Sequence, residues 1–347
     1  MVVKKAFGIS LVALVVCATF LLVSEASLRW LTPHGRFIDN RTDLFWLQLH
    51  SRRRLPAAEA IDTVLDASLG WRMKPLYKAD GVNHNSVGFR GKREYGPVAT
   101  RPRIIMIGDS YTYGLGVRDE ETSSTQLEQL LDAEVVNAGV NGYGTDQSLL
   151  MWELEGKKVA PQVVVLGYYV DDFHRNGLAV REWYKPQFVY DPVQQTFELR
   201  SPSESVNAVA GRGGQVEALQ HWLLPQAIDW LWRRLQSKLG LVDEADLSLK
   251  ARTSEFILER LKTSVAQSGA RLVIAFYGHQ YWNAPDHVWI ERSVLKSCES
   301  IDILCVNVAA AMRDVELANL YGSNGHLSAA GHRFAAEQLA HAIGSIR

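Results

Sequence analysis

The sequence predicts an α/β fold: three α/β/α layers around a central parallel sheet, carried behind an N-terminal transmembrane anchor. Three observations predict it. The segments RIIMIG, EVVNAG, PQVVVLGYYV, RLVIAFYG and ILCVNVA are apolar almost throughout, which marks strands covered on both faces. Helical segments alternate with them, the pattern of a parallel sheet flanked by helices. Ahead of all this, Lys4 and Lys5 precede an uncharged run from Ala6 to Val23.

That run is at the lower length limit for crossing a bilayer and longer than a usual signal-peptide core. It is apolar all round, so a buried amphipathic helix is a poor alternative. An anchor is expected over residues 1–28. Ser24 and Ala26 also offer the small residues of a cleavage site, and either route exports the rest to the periplasmic or extracellular side. Basic residues stand on both sides of the run (Lys4 and Lys5; Arg29, Arg36 and Arg41), so charge does not set the orientation. Val16 before Cys17 does not suit lipid attachment.

Residues 29–100 form a lead-in, with SRRRLP reading as a solvated stretch and LGWRMKP and NSVGFRG as extended pieces bounded by turns. Residues 101–347 form the α/β domain. RIIMIG ends at Gly108, and a helix is expected near Thr125, where Glu128 completes a possible capping box and Leu127, Leu130 and Leu131 supply an apolar face. EVVNAG, the helix TDQSLLMWELEGKKV and the strand PQVVVLGYYV follow. From about 177 to 250 an insertion carries REWYKPQFVYDP and a helix with Ile228, Leu231, Leu235 and Leu239 on one face. Its Trp222, Trp230 and Trp232 suit packing on the core, sugar stacking or a membrane surface.

Composition narrows the function. With 347 residues, 47% hydrophobic content and a net charge of −1, the chain is able to bury a sizeable core as one large domain or two smaller ones. It lacks the basic excess of a nucleic-acid binder. The histidines show no paired helical spacing with a carboxylate and there is no CxxC, so neither a metal nor a cofactor is expected. Cys298 and Cys305 fit a disulfide or two buried small hydrophobes equally well.

In parallel α/β sheets the active crevice lies beyond the carboxyl ends of the strands. Ser110, Gly139 and Asp171 each follow a strand and so share one rim. A serine on such a turn beside glycines is how a nucleophile is displayed, although strand-end serines also cap helices.

IGDSYTYGLGV resembles the first sequence block of the SGNH/GDSL hydrolases. VVNAGVNGYGTDQ, LGYYVDDF and NGHLSAAGHRFAAE resemble the later blocks, so that the likeness covers about 66–176 and 250 to the end. LGWRMKP and NSVGFRG, with the N-terminal apolar run, are similar to the membrane-anchored branch associated with bacterial cell-surface polysaccharide. The resemblance implies Ser110 as nucleophile and His326 as general base, with backbone N–H groups of Ser110 and Gly139 as oxyanion donors. Asp109 and Asp171 fall among the oxyanion and substrate-binding positions. Asp171 stands where the family has a donor asparagine. Asn324 stands near where a carboxylate would orient the histidine; it or a backbone carbonyl is left to hold the imidazole. Of the other histidines, His332 is expected on the surface and His174 near the cleft.

The expected function is therefore an exported serine esterase or O-acyltransferase acting on acyl esters, acetyl esters in particular, of carbohydrate or on small esters. The alternative is a catalytically silent protein of this fold that binds polysaccharide in a cell-surface assembly. Protein partners are not legible.

Overall fold

The computed structural model describes residues 2–31, 41–43, 45–47, 49, 61–210, 223–239, 244–280, 285–313, 315 and 319–344. SRRRLP and Trp222 lie outside the described residues, as does the side chain of Trp230. Two short antiparallel hairpins come first, β1 (Thr63–Asp66) with β2 (Gly70–Met73) and β3 (Lys78–Ala79) with β4 (Val82–Asn83). The main sheet starts with β5 (Arg103–Gly108), β6 (Glu134–Gly139) and β7 (Val163–Tyr169). After the hairpin β8 (Gln187–Asp191) and β9 (Thr196–Arg200), β10 (Arg271–Tyr277) and β11 (Leu304–Asn307) complete it.

The five strands are parallel in the order β11-β10-β7-β5-β6. β5 and β6 are buried along their whole length, as the apolar runs require. Right-handed crossovers put the helix Ser123–Leu131, leading from β5 out to β6, on one face. They put Thr145–Leu154, which returns past β5 to β7, on the other. The chain thus leaves β5 toward one edge of the sheet and β7 toward the other, and the topological switch point lies between the carboxyl ends of β5 and β7, where an α/β ligand crevice forms.

The lead-in is part of the same core. Leu69, Trp71, Met73 and Phe89 are buried with the sheet residues. The Trp71 indole donates to the Asn141 carbonyl at 2.9 Å, and the Tyr143 hydroxyl donates back to the Trp71 carbonyl at 2.5 Å. Arg90 reaches under the crevice and donates to the carbonyls of Gly114 (3.0 Å) and Val117 (2.7 Å) while pairing with Asp119 at 2.6 Å.

The helix Val2–Leu31 opens the chain. Residues 6–15 of the apolar run lie outside the described side chains, and among the described residues no helix is long and apolar enough to cross a membrane. In the insertion, the helix Leu223–Lys238 leaves Ile228, Leu231, Trp232 and Leu235 exposed, with Leu239 just beyond it exposed too, and buries Gln226 and Ala227 instead. The reason is where its start is held: Glu25 accepts the N–H groups of Leu223 and Leu224, each at 2.8 Å, so the N-terminal helix positions it. Cys298 and Cys305 are joined as a disulfide between the helix Pro285–Ser300 and β11.

His332 corrects the expectation of a surface residue. It is 1% exposed, on the helix Ala329–Gly344, because Ser123 Oγ meets its Nδ1 at 2.7 Å. Burial pushes the imidazole down to about 3, with Arg90 adding to the shift. Unfolded, it takes a proton below its ordinary 6.5; folded, it stays neutral. The native state therefore binds fewer protons between these values, and the stability present above pH 6.5 is lost as pH falls, by up to about 1.4 kcal/mol per unit. Urea unfolding at pH 7 and pH 5 is expected to show this drop, and His332→Gln to shrink the difference.

Candidate active site

Ser110 opens the short helix Ser110–Tyr113, set directly on the carboxyl end of β5. Asp109 caps it, its Oδ1 accepting the Tyr111 N–H at 2.8 Å. As the first helical residue, Ser110 has an N–H with no partner within the helix. The helix sits low because the strand ends beneath it lack side chains. A Cβ on Gly167 would come within 2.1 Å of Thr112 Oγ1, and one on Gly139 within 2.3 Å of the Tyr113 nitrogen.

His326 comes from the loop before the last helix and meets the serine, with Nε2 2.9 Å from Ser110 Oγ. Its Nδ1 lies 3.3 Å from the backbone carbonyl of Asn324. A carbonyl only accepts, so Nδ1 carries the proton and the Nε2 lone pair faces the hydroxyl, the tautomer a general base needs. The Asn324 side chain holds the loop instead: its Oδ1 accepts the His326 N–H at 3.1 Å. Of the two options left open for orienting the imidazole, the geometry selects the backbone carbonyl.

Tyr111 fastens this loop to the helix that carries Ser110. Its hydroxyl donates to the Gly325 carbonyl at 3.0 Å, and its ring stacks on Tyr169 at 4.3 Å.

Burial pushes the His326 imidazole below its ordinary 6.5; the Asp109 carboxylate and the Asn324 carbonyl push it back up, and Arg175 and Arg181 push it down again. The imidazole is therefore neutral at pH 7. Ester turnover is expected to rise with pH along an acid limb whose midpoint lies below 6.5, measured as kcat/KM against pH.

Two expectations need correction. Gly139 is not an oxyanion donor: its N–H donates to Asn137 Oδ1 at 3.1 Å, and its contribution is the absent side chain. Asp109 does not face substrate. It is fully buried, and its Oδ2 pairs with Arg175 Nη1 at 2.6 Å. Asp171 meets neither ring nitrogen of His326, which face the Asn324 carbonyl and Ser110 Oγ. It stands half-buried after β7, its side chain makes no cap to the helix Asp172–Arg175, and its carbonyl accepts the N–H groups of His174 and Arg175 at 3.0 Å each. His174 is buried, with Nδ1 3.4 Å from Lys250 Nζ, so it takes no part in holding Ser110.

The sequence reading missed Arg175. Its Nη1 bridges Asp109, Asp172 (2.8 Å) and the Tyr143 carbonyl (3.0 Å). Burial opposes its charge, but Asp172 and Asp109 outweigh that and raise its pKa. With two carboxylates sharing one guanidinium, burial and then the Asp109 charge push Asp172 well above the ordinary carboxylate value. The i, i+3 spacing of Asp172 and Arg175 was a readable sign of one pair; the contact with Asp109 was not.

No protein-family model matches the sequence, and no curated protein does. Solved structures that align with the chain include SGNH and GDSL hydrolases. A G-D-S-L-family protein from Desulfitobacterium hafniense DCB-2 is 12% identical, over 69% of this chain and 98% of that one, with a TM-score of 0.42. TesA is 12% identical over 71% and 99%, at 0.44. The acetylxylan esterase Axe2 from Geobacillus stearothermophilus is 16% identical over 72% and 96%, at 0.42.

Proposed function

We propose that this protein is a serine esterase of the SGNH type that works through an acyl-enzyme on Ser110. The observation that carries the proposal is the 2.9 Å contact between Ser110 Oγ and the unprotonated Nε2 of His326, placed at the switch point of the sheet. As Ser110 Oγ bonds to the ester carbonyl carbon, its proton passes to His326 Nε2 and the carbonyl oxygen becomes an oxyanion. Collapse expels the alcohol, which takes the proton from Nε2. A second hydroxyl, of water or of a sugar, then gives its proton to Nε2 as its oxygen bonds to the acyl carbon; collapse breaks the bond to Ser110 Oγ, which takes that proton back from Nε2 and leaves both residues as they began.

Asp109 has a share in this cycle without touching substrate. Its carboxylate favours the imidazolium form of His326, the part a triad carboxylate plays elsewhere.

The finer parts of the proposal rest on sequence. LGWRMKP and NSVGFRG support an acylated carbohydrate as substrate, with hydrolysis and transfer using the same residues. The run Ala6–Val23 supports export and retention at a membrane. The test is incubation of the full chain with p-nitrophenyl acetate and with a fluorophosphonate. Turnover together with labelling at Ser110 is the expected result, and a chain that does neither while binding polysaccharide would establish the silent alternative.

A further inference from the structure

The esterase reading leaves one charge unaccounted for. Asp171 brings a carboxylate to the position where the resemblance implies an amide donor, and Gly139 has no N–H to offer. Arg181 lies close to the same rim. Gly142, in the loop after β6, has φ +85°, and a Cβ built on it would fall 2.2 Å from Arg181 Nη1. The guanidinium therefore rests on the backbone of that loop. Next along the loop, the Tyr143 carbonyl accepts from Arg175, which also holds Asp109 beside the nucleophile.

Arg181 is fixed from behind. Trp46 lies under it, 4.9 Å from ring centre to guanidinium carbon, and Glu182 accepts from Nη1 at 3.0 Å. Among the described residues this is its hydrogen-bonding partner, so Nη2 and Nε remain as donors. Burial and then Arg175 push its pKa down to about 10, which leaves it charged at neutral pH. Its charge also reaches His326, the other half of the reacting pair.

We propose that Arg181 is the oxyanion-side cation of this site, donating from its guanidinium to the developing oxyanion alongside the Ser110 N–H. The proposal rests on the esterase reading and deepens it. Because the charge is largely withdrawn from water and held by Trp46 and Glu182, it meets the transition state without reorganising, which is where such donors act most strongly. It acts on the reacting carbonyl of any ester and does not require an anionic substrate.

The test is Arg181→Gln and Arg181→Lys in the full chain, assayed with p-nitrophenyl acetate, a small neutral ester. Arg181→Gln is expected to lower kcat by about 10²–10³ with KM changed little, the loss of one oxyanion donor, and Arg181→Lys to restore part of it. The acid limb of kcat/KM is expected to move to higher pH in Arg181→Gln, because a cation that holds His326 down has gone; a residue that merely supports the fold would not move it. Unchanged kcat in a folded Arg181→Gln overturns the proposal, as does a rise in KM alone. If Arg181→Gln does not fold, the kcat-against-KM split of Arg181→Lys decides in the same way. Wild-type turnover with fluorophosphonate labelling separates the two layers. An active wild type with an indifferent Arg181 sinks this inference alone, whereas an inert, unlabelled wild type sinks the esterase reading with it.

Discussion

Ser110→Ala and His326→Ala are each expected to reduce ester turnover by roughly 10⁴-fold or more, and the double variant to be hardly worse than either single one. The two side chains form one device. Without the hydroxyl there is no acyl carrier, and without Nε2 there is no acceptor for its proton. Ser110→Ala removes one oxygen from a residue 6% exposed and leaves the Asp109 cap on Tyr111 in place, so melting temperature is expected to stay within a few degrees. Fluorophosphonate labelling is the second readout, and it should vanish in Ser110→Ala. Persistent labelling in that variant, or multiplicative losses in the double variant, would mean that the reacting pair is misassigned.

Arg175→Met is expected to damage the fold more than any substitution at the reacting pair. It leaves Asp109 and Asp172 buried around a vacated charge, and removing one partner from such a cluster costs about 3–5 kcal/mol. The pH dependence gives the mechanism away. With the guanidinium gone, the buried negative charge is relieved by proton uptake at Asp172, which burial and the Asp109 charge already push upward, so the deficit should shrink as pH falls toward 5. Urea unfolding of wild type and variant at pH 7 and pH 5 measures this. A deficit under 1 kcal/mol at pH 7, or one that grows in acid, would show that Arg175 does not hold the carboxylates. Its effect on catalysis should accompany the loss of stability, since Asp109 caps the nucleophile helix and supports the imidazolium.

What was legible in the sequence follows from the range over which each interaction acts. β5, β6, β7, β10 and β11 announce themselves because a strand buried on both faces must be apolar at every position. Ser110 and His326 stand in recognisable blocks, and the sheet topology brings those blocks to one rim. Misreadings arose where a residue type fits two roles. A glycine after a strand offers an N–H and also an empty space; at Gly139 the N–H is taken by Asn137, and the space is what the fold uses. His332 looked like a polar residue on a helix exterior because its partner, Ser123, is far away in the chain. Arg175 and Asp109 are 66 residues apart, and Arg181 meets Gly142 and Trp46 from well outside the range of any local motif, so no local pattern connects them. The helix Leu223–Lys238 has the apolar face its periodicity promised, but periodicity does not say what a face meets.

The placement of the nucleophile helix bears on how the protein would respond to a saturation mutational scan. Gly108, Gly139 and Gly167 lie side by side on β5, β6 and β7, with Gly108 in register with both others, and the backbone and Thr112 of that helix fill the room above them. Such a scan ordinarily finds alanine the mildest replacement. Here a single methyl group would lift Ser110 away from His326, so activity maps should rank alanine at these positions beside the loss of Ser110 itself. A site defined by vacant space is blind to chemical similarity, and measures of substitution severity based on side-chain likeness would misjudge it most where the change looks smallest.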